Sequence, residues 1–126
     1  MPYIDGFLAP VRAGRSGDYS RMARDTAAIF IDHGELQVVE SLSDDVPDGV
    51  RTDMWKAVAG DHAGGEGLAF SWIVWPSKAA RTAGWEKAME DARMASRTDA
   101  PFDPKRMIYG GFEIVVDTSA PSPGEG

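Results

Sequence analysis

Cysteine is absent from this chain, and that absence removes disulfides, thiol nucleophiles and thiolate metal sites together. It fits a reducing cytosol. Histidine is scarce: His33 and His62 are the only two, without a metal-ligand spacing such as HxxxH. No apolar run approaches the ~20 residues needed to span a bilayer. The opening Met1-Pro2-Tyr3-Ile4-Asp5 lacks the basic start and apolar stretch of a secretion signal, so a cytoplasmic protein is expected. Positive charge is in deficit. A formal net charge of −7 repels phosphate backbones and anionic membranes, and neither nucleic acid nor membrane is expected as a partner. The phosphate-loop pattern and GxSxG are missing. Asp44, Asp45 and Asp48 lack EF-hand spacing, and Pro47-Asp48-Gly49 is the composition of a turn. No metal and no cofactor are expected.

What is present is a single domain. At 126 residues and 43% apolar content, the chain can bury roughly two thirds of its unfolded surface around one core. Tyr3 to Val11 reads as a strand, with Tyr3, Asp5 and Phe7 on one face and Ile4, Gly6 and Leu8 on the other. Asp18 to His33 reads as a helix whose apolar stripe runs through Tyr19, Met22, Ala23, Thr26, Ala27 and Phe30. Ser16 is its expected N-cap and Gly34 its stop. Glu35 to Leu42 is a second strand. A long excursion follows from Ser43 to Gly67, in which Met54 to Val58 reads as an extra strand or a short lid.

Leu68 to Trp75 is apolar without alternation, as a strand buried on both faces would be. Ser77 caps a helix from Lys78 to about Arg93, along which Ala80, Gly84, Ala88 and Ala92 form a ridge suited to close packing on a sheet. Met107 to Val116 is the last strand, with a bulge or bend expected at Gly110-Gly111. The domain is expected over residues 1–118, with 119–126 a disordered tail.

The order β-α-β-β-α-β with right-handed crossovers predicts an α+β, ferredoxin-like fold: an antiparallel four-stranded sheet with both helices on one face. The other face is left bare unless the insert folds over it. Phe70, Trp72 and Val74 are assigned to that open face, beside Tyr3, Asp5 and Phe7. An apolar patch of this size calls for a cover, and a second copy packed sheet to sheet is the expected one.

The strings Tyr3-Ile4-Asp5-Gly6-Phe7, His33-Gly34, Asp44-Asp45-Val46-Pro47-Asp48-Gly49, Phe70-Ser71-Trp72-Ile73-Val74-Trp75-Pro76-Ser77 and Pro101 to Phe112 resemble the family called domain of unknown function 1428. The resemblance runs from Tyr3 to about Val116. It implies a ferredoxin-like unit of the dimeric α/β-barrel type, widespread in bacteria and without an established activity. It carries over no catalytic residue.

Three groups are candidates for chemistry. Asp5, mid-strand on the face expected to be interior, needs a partner or a raised pKa; a structural ion pair with Lys105 or Arg106 is the alternative. Glu40 would flank Trp72 across from Asp5, at ~10 Å, or else simply face water on an edge strand. His33 is a candidate base or a helix-end residue meeting the dipole. Tyr3, Phe7, Phe70, Trp72, Arg106 and Tyr109 complete the expected pocket. Two functions follow: a cofactor-free enzyme of monooxygenase or isomerase type acting on a small, partly apolar molecule in the dimer barrel, or a non-enzymatic ligand-binding or regulatory dimer. The enzyme reading rests on fold analogy.

Overall fold

In the computed structural model, residues 1–95 and 99–118 are described; the tail expected to be disordered lies outside them. Strands β1 (Tyr3–Val11), β2 (Gln37–Leu42), β3 (Gly67–Trp75) and β4 (Ile108–Glu113) form one antiparallel sheet in the order β2-β3-β1-β4. Helix α1 (Ser16–Asp32) joins β1 to β2, and α3 (Lys78–Glu90) with the short α4 (Ala92–Ala95) joins β3 to β4. This is the ferredoxin-like arrangement. Both long helices lie on one face, where Ile29 and Phe30 of α1 and Ala88 of α3 pack with Tyr3, Ile73 and Trp75.

The facing of β1 departs from expectation. Register pairs Tyr3 with Trp75, Asp5 with Ile73 and Phe7 with Ser71, so Tyr3, Asp5 and Phe7 point at the helices. The open face carries Ile4, Gly6 and Leu8 beside Val74, Trp72 and Phe70. Partners across an antiparallel pair share a face, so Trp72 and Asp5 stand on opposite sides of the sheet. Phe70, Trp72 and Val74 lie on the open side as expected.

Trp75 explains the close helix. It is fully buried, and a Cβ at Gly84 would run into its ring and come within 2.8 Å of the His33 carbonyl oxygen. The small-residue ridge therefore seats α3 directly on Trp75. Asp91 stops α3 earlier than the pattern suggested. It is extended, at φ −68° and ψ 130°, and its side chain accepts the Arg93 backbone N–H at 2.9 Å, capping α4 instead of continuing α3. At the other helix, Arg15 rather than Ser16 occupies the N-cap, without a side-chain cap. Pairing runs through Gly110-Gly111 without a bulge. Gly111 is needed for close approach, because a Cβ there would strike the Tyr3 phenol.

The insert contains a helix, α2 (Met54–Ala57), rather than a strand. Asp53 caps it by accepting from the Lys56 N–H at 2.7 Å. Trp55 and Val58 pack on Leu8 and Leu68, so α2 covers one end of the open face. The remainder stays bare: Phe70, Ile108 and Phe112 are 45%, 46% and 61% exposed.

Candidate functional site

Between the helix face of the sheet and the helices lies a cavity of about 810 Å³. Its floor is made of small side chains, Ala9, Ala69 and Ser71, beside Phe7 and Ile73. Small residues hold the sheet surface low, and the helices bridge over it. Tyr19, Met22, Thr26 and Phe30 line it from α1, Trp85 and Met89 from α3, and Met94 from α4. Phe102 and Met107 close the far side. Four methionines and four aromatic rings beyond Tyr19 make an adaptable, polarisable lining.

Tyr19 and Glu40 form a hydrogen-bonded pair in this lining. The buried Tyr19 hydroxyl donates to Glu40 Oε2 at 2.6 Å. Glu40 is exposed as a residue on the edge strand β2, while its carboxylate meets α1. Burial pushes the Glu40 carboxyl above its usual range, and the Tyr19 hydrogen bond partly offsets that. Burial, and then the Glu40 charge, push the Tyr19 phenol far up, so it stays protonated as a donor. Ser71, cross-strand from Glu40, is buried next to the pair. At the rim Arg15 reaches Asp18 at 2.9 Å and Asp99 at 3.1 Å, and Arg21 reaches Asp18 at 3.4 Å.

Of the nine residues the sequence singled out, two line this cavity: Phe7 and Glu40. Asp5 is buried behind its wall. Its Oδ2 accepts the indole N–H of Trp75 at 3.0 Å and of Trp85 at 2.8 Å, and Oδ1 lies 3.5 Å from Arg81. The ion-pair partner is thus Arg81, not Lys105 or Arg106. Tyr3 is buried, accepting from Arg81 at 2.9 Å. His33 caps α1 and lies 3.0 Å from Asp91, away from the cavity. Tyr109 stacks near Phe7, with centroids 6.3 Å apart, and is 73% exposed. Arg106 ties the insert down, bidentate to Glu66 at 2.7 and 2.8 Å and bonded to Asp103 and the Ala59 carbonyl. Phe70 and Trp72 meet edge to face at 5.8 Å on the open side, so the expected pocket of Asp5 and Glu40 around Trp72 does not form.

Sequence reasoning missed Tyr19, Ser71, Trp85 and the methionines as site residues. The available signal was Tyr19 itself, a phenol hydroxyl on a helix stripe whose other members are apolar except Thr26. Glu35 was also missed. It sits between α1 and β2, 8% exposed, with neither carboxylate oxygen hydrogen-bonded, and burial raises its pKa to about 7. Among the described residues no group of three or more His, Asp or Glu could hold a metal ion, and no helix is long and apolar enough to cross a membrane.

The family described as a protein of unknown function (DUF1428) matches residues 2–104. The uncharacterized protein YbaA of Escherichia coli strain K12 is 45% identical over 118 residues, spanning 93% of this chain and 99% of YbaA. YbaA of Shigella flexneri matches at the same 45% identity, with the same coverage. Among solved structures, a MhuD mutant with two manganese protoporphyrin IX groups per active site superposes with a TM-score of 0.61 at 17% identity, over 94% of this chain and 99% of MhuD. A putative antibiotic biosynthesis monooxygenase from Bacillus cereus gives 0.57 at 12% identity, over 98% and 100%. SnoaB, a cofactor-independent oxygenase from Streptomyces nogalater, gives 0.51 at 16% identity, over 92% and 95%. At these identities the structural likeness is one of fold.

Proposed function

This chain belongs to the DUF1428 family of proteins of unknown function, and from that premise we propose that it is a cofactor-free enzyme acting on a small, partly apolar molecule bound between helices and sheet. The observation that carries this is the Tyr19–Glu40 hydrogen bond in a cavity lined by aromatic rings and methionines, with charged side chains among its lining. A carboxylate whose proton affinity is raised by burial is suited to take a proton, and the phenol, donating its one hydrogen to Oε2, orients that carboxylate. Proton transfer of this kind serves an isomerase or the opening step of an oxygenase. A haem fits the lining poorly: it contains no histidine, and both rim arginines are already held by carboxylates.

The test is a thermal-shift screen of metabolites, flavins and haem, since a ligand that binds only the folded state raises the melting temperature. Ligands that shift the native chain are expected to turn over in it and to stay unconverted with Glu40→Gln, a variant that keeps the side chain's shape. Turnover surviving in Glu40→Gln would sink the assignment. The second reading, a binding module without turnover, is favoured by the exposure of Glu40 on an edge strand.

The same reading includes a homodimer through the open sheet face. Ile4, Phe70, Trp72, Val74, Ile108 and Phe112 share that face, and α2 covers only one end of it. At Gly6 a side chain would meet open space, leaving a lane between Trp72 and β4 into which a partner's ring can pack. Light scattering is expected to give twice the chain mass, with Phe112→Asp giving the single mass; a native monomer at micromolar concentration would refute it. We place the protein in the bacterial cytoplasm, in keeping with its cysteine-free composition and its Escherichia coli relative.

A further inference from the structure

Resting on the reading of the helix-side cavity as a ligand site, we propose that its ligand is an organic cation: an ammonium group on an aromatic or otherwise apolar body, its nitrogen held by Glu40. Asp18, Asp25, Glu40 and Asp99 line the cavity against two arginines, Arg15 and Arg21. Both arginines are committed, Arg15 to Asp18 and Asp99 and Arg21 to Asp18. An anionic ligand would have to draw a guanidinium away from its carboxylate.

Glu40 differs from the rim acids. Among the described residues it meets no cation, and its hydrogen bond is the one from the Tyr19 phenol to Oε2. Oε1 is the second acceptor of a carboxylate that lines the cavity from the edge strand β2. An ammonium N–H donated to it makes a charge-assisted hydrogen bond, roughly twice as strong as a neutral one. The walls add to this. Phe30 stands edge to face with Trp85 at 4.6 Å, and Phe7 lies 5.9 Å from the same indole. The electron-rich faces of such rings attract cations. The net charge of −7 steers cations toward the protein and anions away.

Three probes on one ring system separate charge from shape: 1-naphthylmethylamine, 1-naphthylmethanol and 1-naphthoate, titrated into the full-length chain by calorimetry near neutral pH. The amine is expected to bind about tenfold or more tightly than the alcohol, and the acid least. Glu40→Gln is expected to bring the amine down to the affinity of the alcohol. Tyr19→Phe, which keeps the carboxylate, is expected to retain the amine preference. Naphthoate binding as tightly as the amine, or an amine preference that survives Glu40→Gln, would overturn the proposal. If the alcohol binds and the amine gains nothing, the cavity reading stands and the cation is wrong. If no probe saturates, both are wrong.

Discussion

Glu35 gives the sharpest quantitative test of the fold. Its carboxyl is buried without a hydrogen-bond partner, and burial lifts its pKa from 4.5 to about 7. At about 1.4 kcal/mol for each tenfold change in proton affinity, that corresponds to about 3 kcal/mol. The direction follows from which state holds the proton. Below 4.5 the carboxyl is neutral whether the chain is folded or not, and the full stability is present. As pH rises toward about 7, the unfolded chain has released the proton and the folded chain still holds it, so stability falls. Above that the loss is complete.

Glu35→Gln keeps the shape and removes the titration. Its stability relative to the native chain is expected to climb by about 3 kcal/mol between acid and mildly alkaline pH, or about 10 °C in melting temperature for a chain of this size. The amide has its own burial cost, but that cost does not depend on pH, so the changing difference isolates the carboxyl. Urea unfolding of both proteins at several pH values measures it. Two stability curves that stay parallel from about pH 4 to about pH 9 would refute the reasoning.

Gly84→Ala is expected to cost about 2–3 kcal/mol, because the new methyl must displace the buried Trp75 ring; thermal denaturation would show it, and an unchanged melting temperature would mean α3 is free to shift. Asp5→Asn removes the charge facing Arg81, which keeps 26% of its side chain in water. A loss of about 3 kcal/mol is expected, at the low end for a broken buried pair, with a change in tryptophan emission as the acceptor oxygen shared by the Trp75 and Trp85 indoles loses its negative charge. Arg106→Ala removes the ion pairs to Glu66 of the insert and to Asp103, and faster amide exchange over residues 59–67 with little change in α1 is the expected result.

The fold was legible because its signals are local and agree. The apolar run of β3, the Ser77 cap, the Gly84 ridge and the Gly34 stop each have one reading, and element order supplied the topology. The facing of β1 was not legible, because that strand is apolar on both sides: aromatics alternate with Ile4 and Leu8. Only Asp5 breaks the symmetry. Its place under the helices depends on Trp75, Trp85 and Arg81, which lie 70 to 80 residues away in sequence. The cavity was hidden for a related reason. A void between elements is a property of how far apart they stand, and no spacing within a single strand or helix records it. Glu40 was found because a carboxylate in an apolar context is conspicuous; Tyr19 was taken as core because its ring fitted the stripe.

Ala9, Ala69 and Ser71 set the depth of the chamber at three positions. Each lies on one of the two middle strands, and each is nearly sealed from water. Exchanging any of them for leucine would raise the floor of the chamber, and at Ala69 would press on Tyr19 and Ala23 of α1, while leaving the open sheet face alone.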